Sequence, residues 1–217
     1  MVLQLLLLFT LLQITHAQTT GSCGENCTYT FEGSIGLLTI SGNGPMTNFS
    51  QTNQPWQQFI NSTIEVHIRS GITAIGSYSF YKFANIHTVT FESGLVSIGK
   101  SAFSYCSSLL KVSLPNELKT LEDSAFYQCK SLQEISLPNG LKTIEQSVFT
   151  QCTSLKKLTI PSTVTTIGSL ALSGLSDFMY IEFLGSTEPS SCSDTAIGSR
   201  ASDRNTVVYV PDNYNSE

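Results

Sequence analysis

The apolar residues of this chain recur at a period of 23 positions from residue 71 to residue 185. One column of the repeat holds Phe80, Phe103, Phe126, Phe149 and Leu172. Three more columns are apolar in every unit: Ile86, Leu109, Leu132, Leu155 and Phe178; Val89, Val112, Ile135, Leu158 and Ile181; Phe91, Leu114, Leu137, Ile160 and Phe183. The pattern predicts five stacked units, because one such unit is too small to bury its apolar face alone.

Each unit contains three kinds of segment. Residues 109–114 alternate apolar and polar and are followed by Pro115, which predicts a short strand with one buried face. Residues 102–109 have apolar side chains three positions apart, which predicts a single helical or 3₁₀ turn over the core. The apolar pair Leu118 and Leu121 predicts a second short extended stretch on the opposite side.

This combination predicts a β-rich leucine-rich-repeat solenoid with a parallel sheet, since a period of roughly 20 to 29 residues with one strand per unit is typical of that fold. Upstream, residues 3–14 form an apolar run that ends before Ala17. The run is shorter than the roughly 20 residues of a membrane span, which favours a cleaved secretory signal peptide and a mature chain without a span. The predicted regions are 1–17 signal peptide, 18–70 N-terminal β cap, 71–185 repeats and 186–217 C-terminal cap with a closing strand.

Composition narrows the function. The chain is 41% hydrophobic and 12% charged, which excludes wholesale disorder. Eleven Lys and Arg against 16 Asp and Glu give a net charge of -5, which argues against a nucleic-acid-binding surface. Ser, Thr and Asn replace charge on the surface, so recognition should act at short range.

Export would permit disulfides among the six cysteines. Cys106, Cys129 and Cys152 share a column that holds Phe83 and Leu175 in the outer units, which favours buried free thiols over a disulfide or metal ladder. A short loop separates Cys23 from Cys27, which favours a disulfide in the cap. Cys192 has no evident partner. All glycosylation sequons precede residue 64, at Asn26, Asn48 and Asn61.

No arrangement of residues predicts catalysis, a metal site or a cofactor. His67 aligns with Thr90 rather than with His87, so the two histidines are expected to be separate and exposed. No G-x-S-x-G motif occurs, and the adjacent Glu122 and Asp123 are explained as solvated surface.

The solvent side of the predicted strands carries three stripes. The first reads His67, Thr90, Ser113, Ser136, Thr159, Glu182; the second Glu65, Thr88, Lys111, Glu134, Lys157, Tyr180; and the third His87, Leu110, Gln133, Lys156, Met179. Lys111, Glu134 and Lys157 are expected to form cross-strand pairs. Because the cap carries the sequons and the turns of the far side are dominated by Ser, Thr and Gln, the strand side is the predicted partner-binding surface, with Tyr180 as its best anchor. The predicted partner-binding residues are Leu110, Lys111, Gln133, Glu134, Lys156, Lys157, Met179 and Tyr180.

The unit G-L-x-x-I-x-x-x-A-F-x-x-C-x-x-L-x-x-V-x-L-P, as at residues 94–115, resembles the BspA-like, Treponema-type leucine-rich repeat. Residues 36–46 with Pro55 and Trp56 are similar to the cap that precedes such arrays, and residues 208–214 to their closing strand. The resemblance covers about residues 23–214. It implies a protein of the surface of anaerobic bacteria or protozoan parasites, with a role in adhesion to host cells or matrix.

Two functions remain open at this point. The favoured one is a non-catalytic secreted or cell-surface protein that binds a protein or glycan on another cell or matrix. The alternative is a secreted carbohydrate-active enzyme on a β-solenoid, which needs carboxylates that converge on one groove. Glu65, Glu134 and Glu182 lie in different columns or three coils apart, which disfavours the enzyme. The ligand, the anchor and the oligomeric state stay open.

Overall fold

The computed structural model of the chain describes residues 18–175, 180–185, 191–192, 196 and 207–209. The predicted signal peptide, Met179 and most of the predicted C-terminal cap lie outside these residues, and for Tyr180 and Cys192 the backbone alone is described. The chain winds into a solenoid in which each coil, of about 23 residues, contributes a strand to each of two walls. The predicted solenoid with a parallel sheet is confirmed, while the boundaries of its caps stay a prediction.

The first wall is formed by two sheets. The first has the strands β1 (Gln18–Gly24), β2 (Cys27–Glu32), β3 (Leu37–Gly42), β5 (Glu65–Ile68), β7 (Thr88–Phe91), β9 (Lys111–Ser113) and β11 (Glu134–Ser136), in that order. The second has the strands β13 (Lys157–Ile160), β15 (Tyr180–Phe183) and β17 (Val207–Tyr209). Strands β1 to β3 are antiparallel and form the N-terminal β cap, and pairing is parallel from β3 onward. The solvent side of β5, β7, β9, β11, β13 and β15 is called the strand face below.

The second wall is one continuous parallel sheet of short strands. Its order is β16-β14-β12-β10-β8-β6-β4, and its strands are β4 (Gly44–Pro45), β6 (Ile72–Ile75), β8 (Ser97–Ile98), β10 (Thr120–Leu121), β12 (Thr143–Ile144), β14 (Thr166–Ile167) and β16 (Ser191–Cys192). We call this wall the opposite sheet. It confirms the second short extended stretch that the sequence predicts in each unit. A single turn of 3₁₀ helix, Gln57–Phe59, lies before the first full coil.

A column of stacked aromatic rings fills the core between the walls. The ring centroids of Phe80, Phe103, Phe126 and Phe149 follow one another at 5.0, 5.4 and 5.9 Å, and all four side chains are fully buried. Trp56 continues the column into the cap at 5.6 Å from Phe80. The predicted burial of this column is confirmed.

The segment that carries the Phe column is not the helical or 3₁₀ turn that the spacing predicts. Two residues of the coil, such as Ser101 and Tyr105, have φ angles of 53° and 63°, and the same pair recurs in every unit. The N–H groups of Ser101, Phe103 and Tyr105 donate to carbonyls 22 residues further on, at 2.9, 2.8 and 2.8 Å. These bonds join each coil to the next, so backbone groups that a helix would satisfy internally are satisfied across the stack. We call them the turn ladder, and the surface above them the turn side.

The cysteine column lies beside the Phe column. Cys106, Cys129 and Cys152 are free and buried, and their thiols donate to backbone carbonyls at 3.3, 3.2 and 3.1 Å. Burial raises the pKa of the Cys106 and Cys129 thiols above their ordinary value, because the thiolate has no water to solvate it. In the cap, a disulfide joins Cys23 to Cys27, whose Cα atoms are 5.0 Å apart.

Candidate functional site

The strand face carries charged pairs that are aligned by the register of the strands. Lys111 of β9 lies opposite Glu134 of β11, and Lys111 Nζ is 2.8 Å from Glu134 Oε2. Their side chains are 63% and 62% exposed, so water screens the pair and its contribution to stability is about 0.2 to 1 kcal/mol. The pair fixes Glu134 toward β9 rather than toward the next coil.

A second pair lies on the other side of β13. Lys157 Nζ is 3.1 Å from Glu182 Oε2, and the Thr159 hydroxyl donates to the same oxygen at 2.9 Å. The hydrogen bonds from Lys157 and then Thr159 lower the pKa of Glu182 from its ordinary value. The expected cross-strand pair of Lys111 with Glu134 is confirmed, and Lys157 forms an ion pair with Glu182 of β15.

The sheet of the first wall is interrupted between β11 and β13. These neighbouring strands have no ladder of paired residues within the described coils and belong to different sheets. Just before the strands, the N–H of Leu110 donates to His87 O at 3.2 Å and that of Gln133 to Leu110 O at 2.9 Å. The corresponding bond from Lys156 to Gln133 is missing among the described residues.

Among the described residues, the pairing between these two coils is interrupted on this face, while they remain joined elsewhere. On the opposite sheet, β10 pairs with β12 and β12 with β14 across the same two coils. On the turn side, the N–H of Phe126 donates to Val148 O at 3.0 Å, so the turn ladder is intact. The interruption therefore leaves one unpaired position in the first wall.

A cleft of about 560 Å³ lies at this position. It is lined by Gln133, Glu134, Ile135, Ser136, Leu137, Lys156, Lys157 and Thr159. Ile135 and Leu137 are 5% and 8% exposed and form an apolar base beneath polar walls. The strand edges of β11 and β13 add backbone N–H and C=O groups to the cleft, because neither edge pairs with the other.

The structure brings together half of the predicted partner-binding residues and leaves the others apart. Gln133, Glu134, Lys156 and Lys157 line the cleft. Leu110 and Lys111 lie one strand away, where Leu110 is 44% exposed. The backbone of Tyr180 lies opposite Lys157 in β15, and Met179 falls outside the described residues.

Other predicted sites lie away from the cleft. The asparagines of the sequons, Asn26, Asn48 and Asn61, are all exposed, and Asn48 Oδ1 accepts a hydrogen bond from the Ser77 N–H at 2.8 Å. The expectation of two exposed histidines is wrong for His67, which is half-buried with Nε2 2.8 Å from Glu65 Oε1. Among the residues described, no three His, Cys, Asp or Glu side chains could jointly hold a metal ion, and no helix has the length and apolar character to cross a membrane.

A second feature was missed from the sequence. The turn side was expected to be dominated by Ser, Thr and Gln, but it also holds four partly exposed tyrosines that contact one another. We call this group the tyrosine patch; its members are Tyr78, Tyr81, Tyr105 and Tyr127. A signal was available, since half of the eight tyrosines of the chain lie in these turns.

Comparison with known proteins agrees with this architecture. The family model described as BspA type Leucine rich repeat region matches residues 57–181 in six copies. This is one copy more than the five predicted units, because the match begins before Val66 and Ile68, which occupy the strand columns of the repeat. No curated protein is significantly similar to the chain.

Two solved structures share the fold. A leucine-rich repeat protein of T. pallidum is 24% identical with a TM-score of 0.55, over 74% of this chain and 68% of that one. The pneumococcal vaccine antigen PcpA is 19% identical with a TM-score of 0.51, over 77% of this chain and 50% of that one.

Proposed function

This chain belongs to the family of BspA-type leucine-rich repeat proteins, and from that premise we propose that it is a non-catalytic secreted or cell-surface binding protein. Its partner is a protein or glycan on another cell or on matrix, and it docks on the strand face at the cleft between β11 and β13. The predicted partner-binding residues on either side of this cleft extend the docking surface, and adhesion is the resulting role.

The observation that carries the proposal is the interrupted ladder. A regular 23-residue period would pair β11 with β13, as it pairs β9 with β11. Leaving the two edges apart costs the chain hydrogen bonds and exposes polar backbone groups, which natural sheets ordinarily cover or pair. A partner that enters the cleft would satisfy these groups and also cover the apolar base formed by Ile135 and Leu137.

The surroundings of the cleft suit recognition at short range. The ammonium groups of Lys156 and Lys157, the Gln133 amide and the hydroxyls of Ser136 and Thr159 supply hydrogen-bond donors at its walls. The strands on both sides belong to intact sheets, so the walls lose little conformational entropy when a partner binds.

The chemistry of the lining supports binding rather than catalysis. Glu134 is the one carboxylate among the residues that line the cleft, and it forms an ion pair with Lys111. Glycoside hydrolysis ordinarily needs two carboxylates on opposite sides of the scissile bond. No observation favours the carbohydrate-active enzyme over the binding protein.

The test is a pair of substitutions at the cleft, Gln133→Ser with Lys156→Ser. Both side chains are exposed, so we expect the melting temperature to be unchanged, while binding of the labelled chain to intact cells or a reconstituted matrix weakens at least ~10-fold. The matched control is Lys119→Ser, because Lys119 is exposed next to β10 of the opposite sheet. Equal binding by the folded double variant and the control would remove the cleft as the docking site.

A further inference from the structure

We propose that the tyrosine patch is a second binding site, which takes a linear oligosaccharide of uronic acids: sugar rings stack on the tyrosines while a carboxylate pairs with Lys82. The site lies on the turn side, so it goes beyond the docking surface proposed above and does not depend on it.

The patch is a continuous chain of aromatic contacts across three coils. The ring centroids of Tyr78 and Tyr81 are 5.6 Å apart, those of Tyr81 and Tyr105 are 5.6 Å apart, and those of Tyr105 and Tyr127 are 5.4 Å apart. The interplanar angles of 75°, 84° and 71° make each contact edge-to-face. Each ring therefore lies close to perpendicular to the next ring of the chain.

The sequence builds this chain by alternating two positions of the repeat. Tyr81 and Tyr127 occupy one position in the first and third coils, and the small Ser104 occupies it in the second. Ser104 is 1% exposed and its hydroxyl donates to a backbone carbonyl, so it leaves the space above it open. Tyr105, at the next position, fills that space and contacts the rings on both sides.

The backbone beneath the rings is fixed. The N–H of Lys82 donates to Ser104 O at 2.9 Å and that of Tyr105 to Tyr127 O at 2.8 Å, both as part of the turn ladder. The aromatic surface is thus preorganised, and a ligand need not order it on binding.

The tyrosines are not required by the core. In the unit after the patch, the positions of Tyr81 and Tyr105 are held by Thr150 and Gln151, and the Phe column continues unchanged to Phe149. Aromatic rings that are partly exposed and do not belong to the buried core are better explained by contact with a ligand.

Lys82 gives the patch its charge. Its side chain is exposed, with Nζ 5.3 Å from the centroid of the Tyr81 ring and 5.9 Å from that of Tyr105. Within the described coils no carboxylate lies at ion-pair distance from this ammonium, although the chain as a whole has a net charge of -5. A cation without a counter-ion beside the rings is complementary to an anionic group on the ligand.

The hydroxyl groups select a saccharide over an apolar peptide. Tyrosine hydroxyls are protonated at neutral pH, and burial, followed by the neighbouring tyrosines, raises the pKa of Tyr105 further from its ordinary value of 10.0. The Tyr105 and Tyr127 hydroxyls are hydrogen-bonded to each other and Gln128 Nε2 donates to the Tyr127 oxygen at 3.2 Å, so one hydroxyl O–H of the pair is left to donate to a ligand. None of the exposed large aliphatic side chains of the described residues belongs to the patch. Rings flanked by hydroxyls match the C–H faces and hydroxyls of pyranoses, and the line of contacts matches a linear chain of them.

The test is titration calorimetry with a hexasaccharide of polygalacturonic acid and with its methyl ester, which has the same rings without charge. We expect the acid to bind at least ~10-fold more tightly than the ester. The substitution Lys82→Gln should lower the affinity for the acid to that for the ester, and it should leave the affinity for the ester unchanged. The substitutions Tyr81→Thr with Tyr105→Gln, which copy Thr150 and Gln151 and should therefore fold, are expected to abolish binding of both.

The strand-face variant Gln133→Ser with Lys156→Ser is the control, and it should bind the hexasaccharide as the parent does. No binding by the folded parent, or binding that ignores both the Lys82 and the tyrosine substitutions, overturns the proposal. Cells stripped of uronic-acid glycans provide a further check. If the parent still binds these cells and the tyrosine variant does not, the proposal is overturned, because the partner of the patch would then be a protein.

Discussion

The strand face and the turn side are built from the same 23-residue unit, yet the coils are joined differently on the two. On the turn side, the ladder runs without interruption from Tyr78 to Gln151, and each rung is a backbone bond to the next coil. On the strand face, the ladder stops between β11 and β13 and a cleft opens. The turn side can thus hold the stack together while the strand face varies, and each side acquires its own binding chemistry.

The largest expected effect is the loss of stability when core side chains beneath the turn side and the strand face are truncated. Phe126 is fully buried below the turn ladder, so Phe126→Ala should cost about 3 to 5 kcal/mol of unfolding free energy. Ile135→Ala, at the base of the cleft, should cost about 2 kcal/mol, at the low end for its type, because its site already borders solvent. Urea unfolding measures both, and a larger cost for Ile135 would contradict the view that the turn side holds the stack.

Amide hydrogen exchange tests the interruption itself. The N–H of Gln133 is bonded to Leu110 O at 2.9 Å, whereas the equivalent N–H of Lys156 has no such bond in the described coils. We expect the Lys156 amide to exchange at least ~100-fold faster than that of Gln133 and than the turn-ladder amides of Phe126 and Gln128. Equal protection of Lys156 and Gln133 would mean that the sheet is closed in solution.

The smallest effect concerns acid pH on the strand face. Because the pKa of Glu182 in the folded chain is lowered from its ordinary value of 4.5, its pairing with Lys157 stabilises the fold above that value. This stabilisation is lost as the pH falls through the lowered pKa. Glu182→Gln should therefore melt slightly below the parent at neutral pH and together with it at a pH well below the lowered pKa, where the carboxyl is protonated. A difference that is the same at both pH values would show that the substitution acts through packing.

The solenoid could be predicted because a fixed period acts on buried positions. Phe103 and Phe126 must fill equivalent places in adjacent coils, so alignment at 23 residues identifies both the column and the strands. The turn conformation could not be predicted in this way. Apolar residues three apart suit a helical turn equally well, and the left-handed positions hold Ser101 and Tyr105 rather than the glycines that would mark them.

Four residues of the cleft, Gln133, Glu134, Lys156 and Lys157, were among the predicted partner-binding residues, but the geometry of the two candidate sites could not be predicted, since it depends on contacts between columns or on a missing contact. Tyr81 and Tyr105 belong to different columns, so alignment separates two rings that touch. Gln133 and Lys156 belong to the same column, so alignment joins two residues that lack the backbone bond seen between Gln133 and Leu110. A sequence column gives the position of a residue within its coil, but it does not give the distance between coils.

The turn ladder also bears on how the length of such a chain can change. Each rung joins a residue to one 22 positions further on, and the strand registers pair residues 23 apart, as for Thr88 with Lys111. Deleting or duplicating a segment of one whole unit brings the next unit into the same register, so the bonds at the junction re-form with equivalent partners. Removal of residues 117–139 would place the Lys111 coil directly before the Lys157 coil and eliminate Gln133 and Glu134 with it. Genetic recombination at the repeat period can therefore add or delete a binding site in a single step without disrupting the fold.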